Sequence, residues 1–345
     1  MAVARDTAGR QAHRGGHRGV RQEPRSALPA LRRVAVIGAA SAVVAVAAFI
    51  LIAPAFLRPG ADRLVLVQTP RDYGTPFETV EFRPPDQPIK LRAWWMPAAP
   101  AKAAIILVHG GGDDNRSLPY ADGLKLAHDL VGHGYAVFSV DLRNYGESDA
   151  TPEGVTFGDA EADDIIGAMN YLGSHHPGLR YGGLGFSMGG EVLLYAAARD
   201  ARLEAVVTTD TFTDVRSVAA NFVSAQTGLP VFVVVPLLWS AEHLHGVPLS
   251  RGRAIDVVGA IPPRPVLLIQ NAGDPIVPVE HCRRLAAAIP GSEVWITAAP
   301  PAEHPLRVSQ GRWGMHTQSY KLYPEEYVER VTRFFDQRFT STTGR

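Results

Sequence analysis

A single cysteine, Cys282, stands in the whole 345-residue chain. No intramolecular disulfide can form, so cysteine usage speaks neither for nor against export. Net charge is missing as well, since 34 basic side chains balance 34 acidic ones. Nothing in the overall balance calls for a nucleic-acid partner, and none is expected. Histidines occur, but His175, His176, His243 and His245 lack a clustered set of carboxylates or thiolates, so no metal site is expected. No internal repeat is found. A dinucleotide fingerprint is also absent. Gly183-Leu184-Gly185-Phe186-Ser187-Met188 ends in methionine where that motif requires glycine, and Val34–Gly38 leads into apolar residues instead of spaced glycines. No cofactor is expected.

What the chain does have is apolar material, 46% of its residues, enough for a sizeable core. Its length suits two domains or one large α/β domain. Charge is unevenly spread. Residues 1–33 hold eight arginines against Asp6 and Glu23, with several glycines and prolines, and read as a disordered basic tail. Residues 34–57 then run without a charge, long enough for a helix across a hydrocarbon core about 30 Å thick. A cleavable signal is the rival, with small residues at Ala53-Pro54-Ala55, but the run is too long for a typical one. The expectation is a signal anchor or single-pass transmembrane helix, its arginines in the cytoplasm and the folded domain on the outer face of the cell membrane. Secretion after cleavage is the alternative. The one nucleic-acid-like feature, the arginine tail, is explained better by this neighbouring span.

Residues 58–76 read as a linker with a strand at Leu64–Val67. Phe77–Phe82 and Ile89–Trp95 alternate as an antiparallel hairpin at a sheet edge. Strands and helices then take turns: Ala104–Val108, a helix near Tyr120–Val131, Tyr135–Val140, a helix near Gly158–Leu172, Leu179–Leu184, a helix at Met188–Arg199, and Leu203–Thr208. This alternation predicts a mostly parallel sheet covered by helices on both faces. It fails across about 211–263, an insertion holding the apolar run Val231–Trp239. That run reads as a lid helix packed on the main domain, or as an acyl-chain pocket or membrane-facing rim.

One hexapeptide carries chemistry. Gly185-Phe186-Ser187-Met188-Gly189-Gly190 joins a strand to a helix, where a serine can be lifted above the sheet on a strained turn. The glycines are needed because a Cβ at Gly185 or Gly189 would strike the neighbouring strand or helix. The helix beyond aims its free N–H groups and positive dipole end at the same place. Upstream, Ala104–Val108 opens onto His109-Gly110-Gly111-Gly112, an oxyanion-loop pattern, so Gly111 and Met188 are the expected backbone donors. His109 is expected to brace that loop. Asp141 and Arg143 are expected to stabilise the turn after their strand, and Asp163-Asp164 to open a helix and suit its dipole. Downstream, the strand Pro265–Gln270 ends in the turn Asn271–Pro278, which presents Asp274. After Glu293–Thr297 comes a loop with two histidines, His304 and His316, and then a helix at Pro324–Phe339. A nucleophile, acid, histidine order differs from those of chymotrypsin and subtilisin. Cys282, beside Arg283 and Arg284, reads as a packing residue.

From about Glu78 to Phe339 the chain resembles the α/β-hydrolase superfamily. It looks most like serine hydrolases related to acylaminoacyl-peptidase-type and small membrane-anchored, esterase-like enzymes. The segments that carry the likeness are Leu107–Gly111, Val140–Ser148, the serine hexapeptide, Asn271–Pro278 and Tyr323–Tyr327. The resemblance implies an α/β-hydrolase fold over 77–345 with a small helical lid. It also implies a triad of Ser187, Asp274 and His316. Such relatives tend to place the histidine about eight residues before a Pro-Glu-Glu-Tyr helix start, which favours His316 and leaves His304, in an apparent insertion, as the second choice. The expected reaction is cleavage of a carboxylic ester or related acyl bond through an acyl-serine. Peptidase or acyltransferase activity would use the same triad. Peptidases of this class commonly add a propeller domain that does not fit here, which favours a small-molecule ester or lipid substrate. A catalytically silent membrane receptor or scaffold on the same fold is the reading from another class.

Overall fold

The computed structural model describes residues 28–52 and 63–339. The chain divides into two units, Met1–Phe49 and Ile50–Arg345. Helix α1 spans Leu28–Ile52, starting earlier in the chain than the charge-free run and so taking in Arg32 and Arg33. Most of the basic tail, the small residues Ala53-Pro54-Ala55 and the end of the run at Leu57 lie outside the described residues. Among the described residues no helix is long and apolar enough to cross a membrane. The side chains of Val34, Ala35 and Ile50 in α1 are outside that set.

Among its described residues the second unit is built on eight strands in the order β1-β2-β4-β3-β5-β6-β7-β8. They are β1 (Glu78–Phe82), β2 (Leu91–Met96), β3 (Ala104–Val108), β4 (Ala136–Asp141), β5 (Tyr181–Phe186), β6 (Leu203–Thr209), β7 (Val266–Asn271) and β8 (Glu293–Thr297). Only β2 runs against the rest, pairing antiparallel with β1 and β4, while β3 to β8 pair in parallel. This is the α/β-hydrolase fold. The continuous apolar sequence of β3 has a direct cause in burial on both faces, since every residue of β3, β4, β5 and β7 is buried.

Alternation along β3 feeds two cores. Ala104, Ile106 and Val108 join the cluster packed by helices α3 (Glu161–His175) and α4 (Met188–Arg199). Ile105 and Leu107 point to the opposite face, toward α2 (Gly123–Gly132) and Phe335 of α10 (Pro324–Phe339). Burying each of the Ile, Leu, Val and Phe side chains among them is worth about 1.5–3 kcal/mol. Helix α10 starts on Pro324 with Glu325 and Glu326 in its first turn and ends with Arg338, an arrangement that suits its dipole. Cys282 lies buried on α7 (Val279–Ala288), with Leu285 in the first core.

The insertion contains two helices, α5 (Val215–Thr227) and α6 (Val231–His245), followed by short 3-10 turns at Ala254–Asp256 and Val258–Ala260. Packing accounts for part of its apolar run, because Val234, Leu237 and Leu238 are buried. Phe232, Val235 and Trp239 stand exposed on the same helix.

One expectation needs correction. Leu64–Val67 is not a strand. Its alternation is real, with Leu66 packed on the second core and Val65 and Val67 exposed, but β1 and β8 already form the two edges of the sheet. The described part of 58–76 makes contacts of its own. The Leu64 carbonyl accepts from Asn115 at 3.1 Å, Pro70 is buried, and Pro70–Tyr73 forms a 3-10 turn.

Candidate active site

Strands β3 and β5 are neighbours, with β4 on the far side of β3, so the winding of the sheet reverses between them. Loops leaving the carboxyl ends of strands diverge at such a point and open a crevice. Gly110–Gly112 leaves β3 there and Ser187 leaves β5. Asp210 and Asp274 follow β6 and β7 at the same sheet edge.

Ser187 sits at φ 50°, ψ −117°, a conformation that side chains rarely adopt. Its N–H donates to the Thr209 carbonyl at 2.8 Å, anchoring the strained turn to β6. The flanking glycines behave as the sequence predicts. A Cβ on Gly185 would lie 2.5 Å from the Gly189 carbonyl, and one on Gly189 would lie 2.3 Å from the His109 carbonyl oxygen. Backbone touches backbone at both places. The turn can therefore form only with no side chain at either position.

His316 Nε2 lies 3.0 Å from Ser187 Oγ, and His316 Nδ1 lies 2.6 Å from Asp274 Oδ2. With Nδ1–H donated to the carboxylate, Nε2 is left to accept the serine proton. The other oxygen, Asp274 Oδ1, accepts from the backbone N–H of Ile276 at 2.8 Å and of Val277 at 2.9 Å, which fixes the carboxylate in its turn. Burial by itself would disfavour a charged imidazole. The charge and hydrogen bond of Asp274, with the charge of Asp210, outweigh it and hold the His316 pKa above the ordinary histidine value.

The glycine loop lies against the serine turn. A Cβ on Gly110 would stand 3.6 Å from Ser187 Cβ, and one on Gly111 would stand 3.6 Å from Met188 Cβ. His109 braces this loop: its Nδ1 bonds the Gly110 carbonyl at 2.7 Å and its Nε2 accepts from the Leu142 N–H at 3.2 Å. Asp114 Oδ2 accepts from the Gly110 N–H at 2.9 Å. Burial raises the Asp114 pKa, against the backbone N–H donors of Asn115 and Gly110. The Tyr145 hydroxyl meets Met188 Sδ at 3.6 Å.

His304 is not brought to the serine. It precedes α8 (Pro305–Gln310), part of the inserted stretch, and its hydrogen-bonding atoms reach neither Ser187 nor Asp274. Asp141 and Arg143 serve structure. Asp141 accepts from the backbone N–H of Arg116 and Glu147, and the Arg143 guanidinium meets Asp164 at 2.6 Å. Asp164 does begin α3, but its carboxylate is committed to this buried pair more than to the helix dipole. Burial pushes the Cys282 thiol up to about 12, which leaves it a poor nucleophile.

Two residues escaped the sequence reading, Asp114 and Asp210. Among the described residues, Asp210, Asp274 and His316 form a group whose ligand-type atoms lie within 4.8 Å of one another. Asp210 could have been found from its place as the residue following β6, at the edge where Ser187 and Asp274 emerge. Its oxygens are turned to backbone donors, Asn271 N–H and Thr317 N–H, each at 2.7 Å.

Residues 103–230 match a family model described as alpha/beta hydrolase fold. A polyketide transferase of Stachybotrys chlorohalonatus is 32% identical over 140 residues, 40% of this chain and 45% of that protein. The chain thus spans less than half the length of that relative. An uncharacterized membrane protein of Saccharomyces cerevisiae is 27% identical over 256 residues, 72% of this chain and 80% of that protein. Among solved structures, an esterase of Pyrococcus furiosus superposes with a TM-score of 0.63 at 24% identity, covering 82% of this chain and 99% of that one. An acylaminoacyl peptidase of Pyrococcus horikoshii superposes at 0.54 and 15% identity, covering 80% of this chain and 44% of that one. These structural likenesses bear on the fold.

The contact between Gly189 and the end of β3 yields a prediction. Gly189→Ala should lower stability by about 3 kcal/mol, the upper part of the usual range for overpacking, since the obstacle is backbone. Urea unfolding measures it, and a wild-type midpoint would contradict the packing described.

Proposed function

We propose that this chain, which has the α/β-hydrolase fold and matches over 103–230 a family model of that description, is a serine hydrolase that cleaves a carboxylic ester or related acyl bond through an acyl-serine intermediate. The observation that carries this reading is the hydrogen-bonded line from Ser187 Oγ through the His316 imidazole to Asp274. A serine hydroxyl is nearly inert at neutral pH and needs an adjacent base. His316 Nε2 takes the proton as Oγ attacks the carbonyl carbon, and Asp274 holds the tautomer and steadies the imidazolium. The backbone N–H groups of Gly111 and Met188 receive the oxyanion, each such donor being worth about 3 kcal/mol in the transition state. The imidazolium then returns its proton to the leaving alcohol. Water, activated by the same imidazole, releases the acid and restores the serine.

Small esters or lipids are the proposed substrates. The exposed apolar side chains of α6, Phe232, Val235 and Trp239 among them, support an apolar ligand such as an acyl chain over a charged one. A second reading, transfer of the acyl group to an acceptor other than water, draws on the match to a protein named as a polyketide transferase. It uses the same steps and differs only in what attacks the acyl-serine.

The reading extends to location. The charge-free run 34–57 behind an arginine-rich segment would anchor the domain in a membrane with the amino terminus inside. Support comes from the sequence and from a relative named as a membrane protein. The full-length protein should stay with membranes after carbonate extraction and enter solution only with detergent. Recovery in the carbonate supernatant, or as a shortened chain in the medium, would overturn the anchor.

The chemistry is tested by a fluorophosphonate probe. Wild-type protein should be labelled at Ser187 and Ser187→Ala should not, with p-nitrophenyl ester turnover lost alongside. Labelling that survives in Ser187→Ala would remove this nucleophile, and a wild-type protein that binds esters without turning them over would leave a silent scaffold. The pH dependence follows from His316. Because the base must be neutral and its pKa is raised, kcat/KM should fall with decreasing pH along an acid limb centred above about 6.5, the ordinary histidine value. A limb centred well below that value would contradict the assignment.

A further inference from the structure

Asp210 is fully buried at the end of β6, and nothing in the reaction above uses it. Its backbone is left-handed, at φ 52°, and its N–H donates to the Ile269 carbonyl of β7 at 2.9 Å. One carboxylate oxygen accepts from Asn271 N–H at the end of β7, the other from Thr317 N–H, each at 2.7 Å. Thr317 directly follows His316 and is itself left-handed, at φ 60°. Asn271 continues the connection: its carbonyl accepts from Asp274 N–H at 3.2 Å, and its side chain receives Gly273 N–H at 2.8 Å. One carboxylate thus bridges the strand end that presents the acid and the loop that presents the imidazole. Left-handed backbone at two non-glycine residues persists only where surrounding bonds over-determine it, and such bonds gather at functional sites.

We propose that Asp210 is a positioning residue that clamps the His316 loop to the Asp274 turn and so sets the alignment of the imidazole between Ser187 and Asp274. This rests on the serine-hydrolase reading. A neutral hydrogen-bonding side chain could not do the same work. The two backbone groups to be joined are both donors, and a carboxylate offers two acceptor oxygens where an amide offers one. The groups that face it are Asp274 and His316 across the site, Cys282 on α7 and Tyr327 on α10. Burial, then the charge of Asp274, raises the Asp210 pKa, while His316 and the two N–H donors oppose the rise. The Asp210 charge in turn adds to the forces that raise His316.

The test uses Asp210→Asn and Asp210→Ala in the full-length protein, with active enzyme counted by covalent serine labelling. Per labelled site, kcat should fall on the order of 10- to 100-fold, as small misplacements of a catalytic group do, with KM nearly unchanged. The acid limb of kcat/KM should move to lower pH, because a negative charge beside His316 is gone. A loss confined to the folded fraction, with kcat per site and the acid limb as in wild type, would show a merely structural residue and overturn the proposal. Ser187→Ala is measured in parallel. If that variant keeps its turnover, the serine reading fails, whatever Asp210 does. Should neither variant fold, hydrogen exchange on the wild-type protein decides. Slow exchange at the Thr317 amide, comparable with Asn271, supports the clamp, and fast exchange at Thr317 overturns it.

Discussion

Parallel pairing of β3, β5, β6 and β7 is the constraint from which the site follows. Parallel strands share a direction, so every loop that leaves a carboxyl end emerges on one edge of the sheet. The glycine loop, Ser187, Asp210 and Asp274 come from four such ends and need no long excursion to meet. Only His316 arrives from farther along, through the stretch between β8 and α10. It therefore needs a tie back to the sheet edge. The Thr317–Asp210 bond supplies that support.

Charge in this cleft is managed by backbone donors. Buried carboxylates are costly unless hydrogen-bonded, and among those at this edge three each receive two N–H groups: Asp274 from Ile276 and Val277, Asp210 from Asn271 and Thr317, Asp114 from Gly110 and Asn115. Because these donors belong to the chain itself, the carboxylates fix loop conformation while the loops stabilise the carboxylates. The arginine pairs do similar work at the margin, where Arg143 meets Asp164 and Arg116 meets Asp141 under the turn after β4.

Much of this was legible in the residues. The bounds of β3, β8, α4 and α10 read directly, because an apolar run of strand length, a serine turn between glycines and a proline-led acidic helix start each have one physical interpretation. Ser187 and Asp274 could be singled out from the turns that hold them. Local chemistry does not separate His316 from His304, since both precede turn-rich sequence; resemblance favours His316, and His316 lies beside the serine. Asp210 is not legible in the sequence because a lone acid after a strand looks like an ordinary turn residue until the two loops it joins are seen together. Leu64–Val67 misled for a related reason: period-two alternation reports one buried and one exposed face, which extended chain lying on a surface shows as well as a strand does.

The solitary thiol on α7 has a practical side. Sealed in the core and held protonated far above neutral pH, Cys282 should stay silent toward maleimides and iodoacetamides while the fold is intact. The native chain therefore offers a clean background on which a single introduced surface thiol, for instance on the outer side of α6, would carry a fluorophore or spin label without first removing a natural one.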